Sequence, residues 1–371
     1  MMRIVARAAL AFVVAALAAC AADKPKPTVL APLTPKIAGQ QVWSIRVGGA
    51  QMPLSVPTRD GVVVVAANDG TVLALDAQSG REAWRGQAGA KLTTGAGSDG
   101  RHAAVVTVNN ELVVLDKGAR RWSAALESST TTAPFVAGER VFVVGVDRAV
   151  HAFDVLDGKK IWTSTRQGEA LTLAQAGVIT SFKDTLVVGQ GASLVGLDPT
   201  TGSVRWETAL TSPRGTNEVE RLNDMVGPPL RLGDVFCARA FQTAVGCVDA
   251  AKATLRWSRL TGGLQGVGGD KDLVFGADGS DRITAWRTAN GDIAWTNETL
   301  LYRGLSAPLS AGKTVVFGDS EGMVHFLDRQ TGDALLRQPT DGSAVVGAPV
   351  LVGSTVLVAT RNGAVFAFRP E

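Results

Sequence analysis

The amino-acid sequence predicts an all-β fold, an eight-bladed β-propeller with four-stranded blades. Three observations lead to this prediction. A phrase that ends in tryptophan, first seen as DAQSGREAW at residues 76–84, returns several times along the 371-residue chain. Short apolar runs separated by Asp-Gly, Asn-Gly and single Gly turns lie between its copies, and these are strand and hairpin signals. The copies recur about every 40 residues, which is the length of one four-stranded blade.

Alignment on the acidic residue of the phrase defines eight units. The aligned positions are Asp76, Asp116, Asp154, Asp198, Asp249, Arg287, Asp328 and Arg369. Seven units carry a tryptophan, or in one case a leucine, shortly after this position. These residues are Trp84, Trp122, Trp162, Trp206, Trp257, Trp295 and Leu336. We expect each of them to lie on the outer strand of its blade and to fill the gap between neighbouring sheets.

The two ends of the repeat array are incomplete in complementary ways. Trp43 opens the array with no acidic residue of the phrase before it, and the last unit stops at Glu371 before its own outer strand. We therefore expect the N-terminal strand around Trp43 to pair with the C-terminal strand. Residues 40–371 would then form a closed ring without an open sheet edge.

Composition is that of an ordinary globular protein, with 46% hydrophobic residues, 42 glycines and a formal net charge of +3. The 37 basic and 34 acidic residues are interspersed from end to end. A nucleic-acid binder instead concentrates Lys, Arg and aromatic residues on one face. We therefore expect no nucleic-acid partner.

The N-terminal segment 1–19 has the layout of an export signal, because two arginines precede an apolar run that is too short to span a bilayer. The run ends in Leu-Ala-Ala before Cys20, which resembles the lipobox of bacterial lipoproteins. This resemblance implies that Cys20 is the lipid attachment site. Cleavage as an ordinary secretory peptide is the alternative. In this lipoprotein class, an aspartate directly after the cysteine retains the protein in the inner membrane. This sequence has Ala21 at that position, which implies the outer membrane. The proline-rich residues 20–39 are predicted to be an extended, lipid-anchored tether.

Two short motifs that suggest catalysis fit the repeat better. Gly95–Gly100 matches the G-x-G-x-x-G pattern of dinucleotide sites, but a strand is predicted after it where that site needs a helix. Gly318–Gly322 matches the G-x-S-x-G nucleophile elbow, yet it occupies a hairpin position between strands. His151 and His325 hold equivalent repeat positions and are predicted to be structural, so we expect no catalytic residue, no metal and no cofactor.

Cys237 and Cys247 flank the turn of CARAFQTAVGC and are candidates for a disulfide. A three-residue loop would place them directly opposite each other on paired strands, which permits a cross-strand disulfide in an oxidising periplasm. A two-residue turn would shift the register and point them apart. The sequence leaves both arrangements open.

Two consecutive connections depart from the regular repeat. One follows Trp162 and the other follows Trp206. Both link an outer strand to the first strand of the next blade, so we expect them on the same rim as one continuous patch. They offer the apolar residues Leu171 and Leu173 and the charged residues Arg214, Glu218, Glu220, Arg221 and Asp224. The alternative is that the two connections are long without having a function, because loops tolerate insertions as well as carrying functional residues.

The lipobox, the tryptophan repeats and the stretch TNEVERLNDMVGPP together resemble the propeller lipoproteins of the outer-membrane β-barrel assembly machinery, the BamB family. The similarity covers the whole mature chain. Its most specific parts are the Glu-x-x-Arg-Leu-x-Asp stretch at residues 218–224 and VVFGDSEGMVHFLD near the end, since the repeats are shared with quinoprotein dehydrogenases.

This resemblance implies a non-catalytic scaffold that docks on the periplasmic domains of the barrel assembly protein BamA and aids the insertion of other barrels, with no small-molecule substrate. The family docks through a Leu-x-Leu-Arg segment and an Asp-x-Asp pair in the two long connections. The implied partner-binding residues are Leu171, Leu173, Arg221 and Asp224. Ala174 and Val226 stand where the family has the arginine and the second aspartate, so Arg221 or Arg166 is the candidate for the missing positive charge.

Two other functions are compatible with the repeats. One is a dehydrogenase that holds pyrroloquinoline quinone in an eight-bladed propeller. Such enzymes carry adjacent cysteines and a carboxylate and Asn cluster for calcium, and the sequence shows neither. The other is an exported propeller that binds a different partner. Function has to be argued from a site and not from a fold, and the sequence favours the scaffold.

Overall fold

The computed structural model describes residues 25–50, 55–166, 171–212 and 216–370. Within these ranges the strands form eight four-stranded antiparallel sheets arranged in a ring, so the predicted eight-bladed β-propeller is confirmed. In the same ranges we find no helix with the length and apolar character needed to cross a membrane.

Each blade begins with a strand of two to eight residues next to the ring axis and continues with a second strand that is almost wholly buried. The first strands are β2 (Thr58–Arg59), β6 (Gly97–Ser98), β10 (Phe135–Ala137), β14 (Ile179–Phe182), β18 (Met225–Leu232), β22 (Gly268–Gly269), β26 (Leu309–Ala311) and β30 (Val345–Val352). The second strands are β3 (Val62–Ala66), β7 (His102–Val106), β11 (Arg140–Val144), β15 (Thr185–Gln190), β19 (Val235–Ala240), β23 (Leu273–Ala277), β27 (Thr314–Gly318) and β31 (Thr355–Thr360).

The third strand of each blade is also buried, whereas the outer strand is half exposed. The third strands are β4 (Thr71–Asp76), β8 (Glu111–Asp116), β12 (Val150–Asp154), β16 (Ser193–Leu197), β20 (Ala244–Asp249), β24 (Ile283–Arg287), β28 (Met323–Asp328) and β32 (Ala364–Pro370). The outer strands are β5 (Glu82–Gln87), β9 (Ala119–Ala125), β13 (Lys160–Ser164), β17 (Val204–Ala209), β21 (Thr254–Leu260), β25 (Ile293–Asn297), β29 (Ala334–Pro339) and β1 (Gly39–Arg46).

The ring closes through its two termini, as the sequence predicts. Strand β1 pairs antiparallel with β32 from Gly39 opposite Pro370 to Arg46 opposite Ala364. The last blade therefore takes its outer strand from the N-terminal end of the chain, and the pairing leaves no gap in the circle of sheets.

Strand direction alternates within a blade, so the two rims of the ring differ. One rim carries the connections from each outer strand to the next blade, together with the hairpins between second and third strands. We call this the connection rim. The opposite rim carries the remaining hairpins, including the Asp-x-x-x-Gly turns of the repeated phrase.

The repeated phrase joins neighbouring blades. Asp76 accepts a hydrogen bond from the Ser79 amide at 2.8 Å and so shapes the turn that ends at Gly80. Trp43 of the preceding blade packs on Gly80, where an added Cβ would lie 2.6 Å from the indole ring. Trp43 Nε1 also donates to the Ala77 carbonyl at 3.1 Å. The same donation to the next blade is made by Trp122, Trp162, Trp257 and Trp295.

The interface between the fourth and fifth blades departs from this pattern. The turn position that is glycine in most blades is Ala253 in the fifth blade, and it has a φ of 53°. An L-residue in this left-handed region is strained, because its Cβ crowds the backbone. Trp206, which should pack on this turn, lies over Gly196 of its own blade instead.

The two motifs that suggest catalysis, Gly95–Gly100 and Gly318–Gly322, are part of the repeat structure. Strand β7 follows Gly95–Gly100, where a dinucleotide site would have a helix. Residues 319–322 form the hairpin turn between β27 and β28. Both segments are therefore parts of blades.

Candidate functional site

The two long connections meet on the connection rim, next to the hairpin of the third blade. The hairpin between β11 and β12 contains Arg148, which lies between the connections. Arg148 Nη1 donates to Asp224 Oδ1 at 2.7 Å, and Arg148 Nη2 donates to the Leu171 carbonyl at 3.1 Å. Asp224 Oδ2 accepts from the Leu173 amide at 3.0 Å. One ion pair therefore ties together three segments that are far apart in the sequence.

The Arg148–Asp224 ion pair is largely enclosed, with side-chain exposures of 13% and 15%. Thr172 Oγ1 donates to the Val146 carbonyl at 3.1 Å, and Gln190 Nε2 donates to the Arg148 carbonyl at 3.1 Å. A shielded pair with these supporting hydrogen bonds restrains the loops more than an exposed surface pair would. The described parts of the two connections, residues 171–178 and 216–224, therefore present a defined surface.

Arg148 was not identified from the sequence, although one signal was available. It has a φ of 66° at a hairpin position that is glycine in three other blades. The glycines are Gly70, Gly322 and Gly363. Asp281 occupies the same position in the sixth blade, also with positive φ, and accepts the Gly304 and Leu305 amides at 2.6 and 3.0 Å. A long or charged side chain in a left-handed turn position thus marks a contact to the adjacent connection.

The two predicted leucines differ in exposure. Leu171 is 38% exposed, whereas Leu173 is only partly exposed and its amide is bound by Asp224. Val219, on the second connection, is 71% exposed and was also missed by sequence reasoning. Leu171 lines a surface cavity of about 270 Å³ between the two connections, together with Glu218 and Arg221. The rim thus offers exposed apolar side chains beside a charged cavity.

The second connection has its own internal framework. The Thr216 amide and hydroxyl donate to Glu220 Oε2 at 2.7 and 3.1 Å, and the Glu220 amide donates to Asn217 Oδ1 at 3.0 Å. The hydrogen bonds from Thr216 lower the pKa of Glu220. This reciprocal arrangement resembles a capping box and shapes a single turn. Glu220 is thus part of the loop framework.

The predicted charged residues have different roles in the structure. Asp224 was expected on the polar surface of the rim, but its carboxylate faces inward onto Arg148. Arg166, a candidate for the missing positive charge, donates to Glu207 Oε1 at 2.7 Å. Arg221 is half-buried and lines the cavity. Arg214 and Cys20, the predicted lipid attachment site, lie outside the described residues.

Cys237 and Cys247 lie opposite each other on β19 and β20, with a three-residue turn between these strands. The structure joins them by a disulfide, with their Cα atoms 4.0 Å apart. Both cysteines are fully buried between blades. They are therefore remote from the rim surface and act within the core.

The two histidines at equivalent repeat positions have different surroundings. His151 contacts Thr163 Oγ1 at 3.0 Å, whereas His325 Nε2 lies 2.9 Å from Oδ2 of the buried Asp319. The carboxylate near His325 was not anticipated from the sequence. Among the residues that the structure describes, no three His, Cys, Asp or Glu side chains are grouped so that they could hold a metal ion.

The chain is similar to known proteins over most of its length. The family model described as outer membrane protein assembly factor BamB matches residues 35–94 and 68–297. A protein of that name from Burkholderia pseudomallei is 36% identical over 376 residues, which cover 100% of this chain and 99% of the relative. The chain belongs to the BamB family. The BamB of Bordetella pertussis is 34% identical over 94% of this chain and 91% of its own length.

Solved structures that superimpose on this chain show the same propeller fold. BamB from Moraxella catarrhalis superimposes with a TM-score of 0.81 at 23% identity, covering 90% of this chain and all of that one. The quinohemoprotein alcohol dehydrogenase of Comamonas testosteroni superimposes with a TM-score of 0.67 at 16% identity, covering 89% of this chain and 76% of that one. The BamB family and the dehydrogenase thus share the propeller.

Proposed function

We propose that this chain is a non-catalytic scaffold of outer-membrane protein assembly. It docks through its connection rim on the periplasmic domains of the barrel assembly protein BamA and aids the folding and insertion of β-barrel proteins. The observation that carries this proposal is the rim itself, where the Arg148–Asp224 pair joins two long connections that carry the exposed side chains of Leu171 and Val219.

The chemistry of the rim suits a protein partner. Exposed apolar side chains gain free energy when a partner removes them from water, and the charges around them set orientation. Leu171 supplies the apolar contact, and Glu218 and Arg221 border the adjacent cavity. Because residues 171–173 and Asp224 are already held by hydrogen bonds, docking loses little conformational entropy in ordering them.

We also propose that acylation at Cys20 anchors the protein in the outer membrane with the ring in the periplasm. The Leu-Ala-Ala sequence before Cys20 and the alanine after it support this placement. Substituting Cys20→Ser should release the protein from the membrane fraction. Continued fractionation of this variant with the outer membrane would contradict the lipid anchor.

The scaffold is favoured over a quinone-dependent dehydrogenase because the resemblance to the dehydrogenase rests on the fold alone, at 16% identity. The relatives that cover nearly the whole chain are named as assembly factors. We expect the purified protein neither to bind pyrroloquinoline quinone with calcium nor to reduce a dye with alcohols or sugars. Saturable quinone binding with turnover would favour the enzyme.

The experiment that tests the scaffold is affinity purification of the tagged, full-length protein from detergent-solubilised outer membranes. We expect the barrel assembly protein to be recovered in stoichiometric amount. A Leu171→Asp variant should lose it, and a Leu156→Asp variant on the opposite rim should retain it. Recovery of an unrelated partner by all three proteins would favour the third class, an exported binding module.

A further inference from the structure

The predicted tether is not free along its whole length. From Thr28 onward it is bound to the outside of the ring across the seventh blade, and we call residues 28–38 the strap. The Thr28 amide donates to the Leu301 carbonyl at 3.0 Å, and the Lys36 amide donates to the Leu335 carbonyl at 2.8 Å. The two ends of the strap are therefore hydrogen-bonded to the ring.

A buried arginine holds the N-terminal end of the strap. Arg303 Nη1 donates to the Thr28 carbonyl at 2.9 Å, and its Nε donates to Asp319 Oδ2 at 2.7 Å. Its remaining terminal nitrogen contacts Glu321. The Arg303 side chain is only 3% exposed. An arginine that is held in place by two carboxylates presents its last donor in a fixed position, which makes the contact to Thr28 specific.

Apolar contacts hold the rest of the strap. Leu30 packs against the cluster that includes Leu300 and Leu327, and Ile37 packs against the cluster that includes Leu336. Val29, next to Leu30, is 90% exposed. The strap therefore has an inward side that contacts the ring and an outward side in water, which a random linker would lack.

The strap begins on the connection rim. Leu301 and Arg303 lie in the connection between β25 and β26, and Asp319 lies in the hairpin between β27 and β28. Both segments belong to the rim that carries Leu171 and Asp224. The chain thus leaves the ring toward its N-terminus from the same rim that we propose for docking.

The length of chain before the strap limits how far the ring can move from the lipid. Eight residues from Cys20 to Thr28 reach at most about 28 Å when fully extended. If the strap were released, the 19 residues from Cys20 to Gly39 would reach about 65 Å. The free ring could then rotate relative to the membrane, whereas the strapped ring is held by its connection rim.

We infer that the strap orients the ring, so that the connection rim faces the membrane and the BamA-binding surface is presented to a partner in that same membrane. This inference rests on the lipid attachment in the proposed function. The strap thus does more than join the lipid to the ring, because it selects which face of the ring lies near the bilayer.

The strap can be released by Leu30→Asp with Ile37→Asp, which place charges on its inward side. A matched control is Val29→Asp with Ala38→Asp, which adds the same charges at two neighbouring exposed positions. Hydrogen exchange of the Thr28 and Lys36 amides should be slow in the wild type and the control. It should become at least tenfold faster in the release variant. Exchange in the wild type at the rate of a free linker would overturn the inference.

Orientation is measured on lipidated, full-length protein in vesicles that carry a headgroup acceptor dye. A donor dye is attached either at Leu264→Cys on the connection rim or at Ala289→Cys on the opposite rim. We expect clearly stronger energy transfer from position 264 in the wild type and the control, and nearly equal transfer in the release variant. Equal transfer in the wild type, or unchanged asymmetry after release, would overturn the inference.

Failure of this inference is separable from failure of docking. If the full-length protein purified from membranes does not float with the vesicles, the lipid anchor is wrong and the orientation inference is overturned with it. Capture of the partner by detergent-solubilised protein does not depend on orientation at a membrane, so it still reports on the connection rim.

Discussion

Arg148 and Asp224 are 76 residues apart in the sequence, yet their side chains form an ion pair at 2.7 Å on the connection rim. Asp224 is thereby a framework residue that holds the Leu173 amide, and any effect of Asp224 on a partner acts through the position of the loops. The exposed apolar side chains of the two connections are the surface that we propose a partner contacts directly.

The ion pair predicts unequal effects for its two members. Asp224→Ala removes the carboxylate next to the enclosed Arg148 guanidinium and should lower the free energy of unfolding by about 1–3 kcal/mol. Arg148→Gly also removes the pair, but it relieves the left-handed strain at this position, which amounts to about 1 kcal/mol. We therefore expect the smaller loss for Arg148→Gly in chemical denaturation. A larger loss than for Asp224→Ala would contradict the strain argument.

The irregular fifth blade predicts a stabilising substitution. Ala253→Gly places glycine in a turn with a φ of 53°, where most blades already have it, and should raise the free energy of unfolding by about 1 kcal/mol. Ala289→Gly is the control, because Ala289 is an exposed turn residue without positive φ. Thermal melting should show a gain for the first variant and none for the second. Equal changes in both would mean that strain at Ala253 is negligible.

The packing of tryptophan on glycine predicts a destabilising substitution. Gly80→Ala adds a Cβ at 2.6 Å from the Trp43 ring as well as strain at a φ of 70°. Gly61→Ala, with a φ of 79° and no atom within 4 Å of the new Cβ, carries the strain alone. We expect Gly80→Ala to lose about 1–3 kcal/mol more than Gly61→Ala in denaturant titration. Equal losses would show that the contact with Trp43 is unimportant for ring closure.

The buried His325 predicts loss of stability in acid. Burial lowers its pKa below the ordinary value of 6.5, with Arg337 and Arg303 adding to the shift and the hydrogen bond to Asp319 opposing it. The unfolded chain therefore binds a proton more readily than the folded one. Stability is fully present above pH 6.5 and is lost as the pH falls from there through the folded-state pKa.

One such proton gives a slope of at most about 1.4 kcal/mol per pH unit. We expect chemical denaturation between pH 7.5 and pH 5 to show a decline in the wild type. The decline should be shallower in His325→Gln, which keeps a hydrogen-bonding side chain without a titrating imidazole. An equally steep decline in the variant would assign the acid sensitivity to other groups.

Local repetition accounts for what the sequence predicted well. The phrase with Asp76, Gly80 and Trp84 encodes a turn and an inter-blade contact in neighbouring residues, so the blades, their number and the closure through Trp43 follow from counting. The pairing of Arg148 with Asp224 does not repeat and depends on which blades are adjacent in space. The only sign of this pair in the sequence was Arg148 itself, which stands at a hairpin position that is glycine in other blades.

The strap shows a second limit of sequence reasoning. Its two prolines and low regularity are typical of a free linker. Its docking depends on Arg303, whose position is set by two carboxylates that follow it in the chain. The exposure of Val219 was also not predictable, because the second connection has no repeat counterpart in the other blades. Both features arise between segments that have no repeat counterpart, and so they were missed.

Docking through the connection rim is tested most directly by the affinity of the purified, full-length protein for the periplasmic domains of BamA. We expect Leu171→Asp to raise the Kd at least tenfold, equivalent to about 1.4 kcal/mol, with an unchanged melting temperature. Leu156→Asp, at a 53% exposed leucine on the opposite rim, should bind within twofold of the wild type. Wild-type affinity in a stable Leu171→Asp protein, or equal weakening by both variants, would contradict docking through this rim.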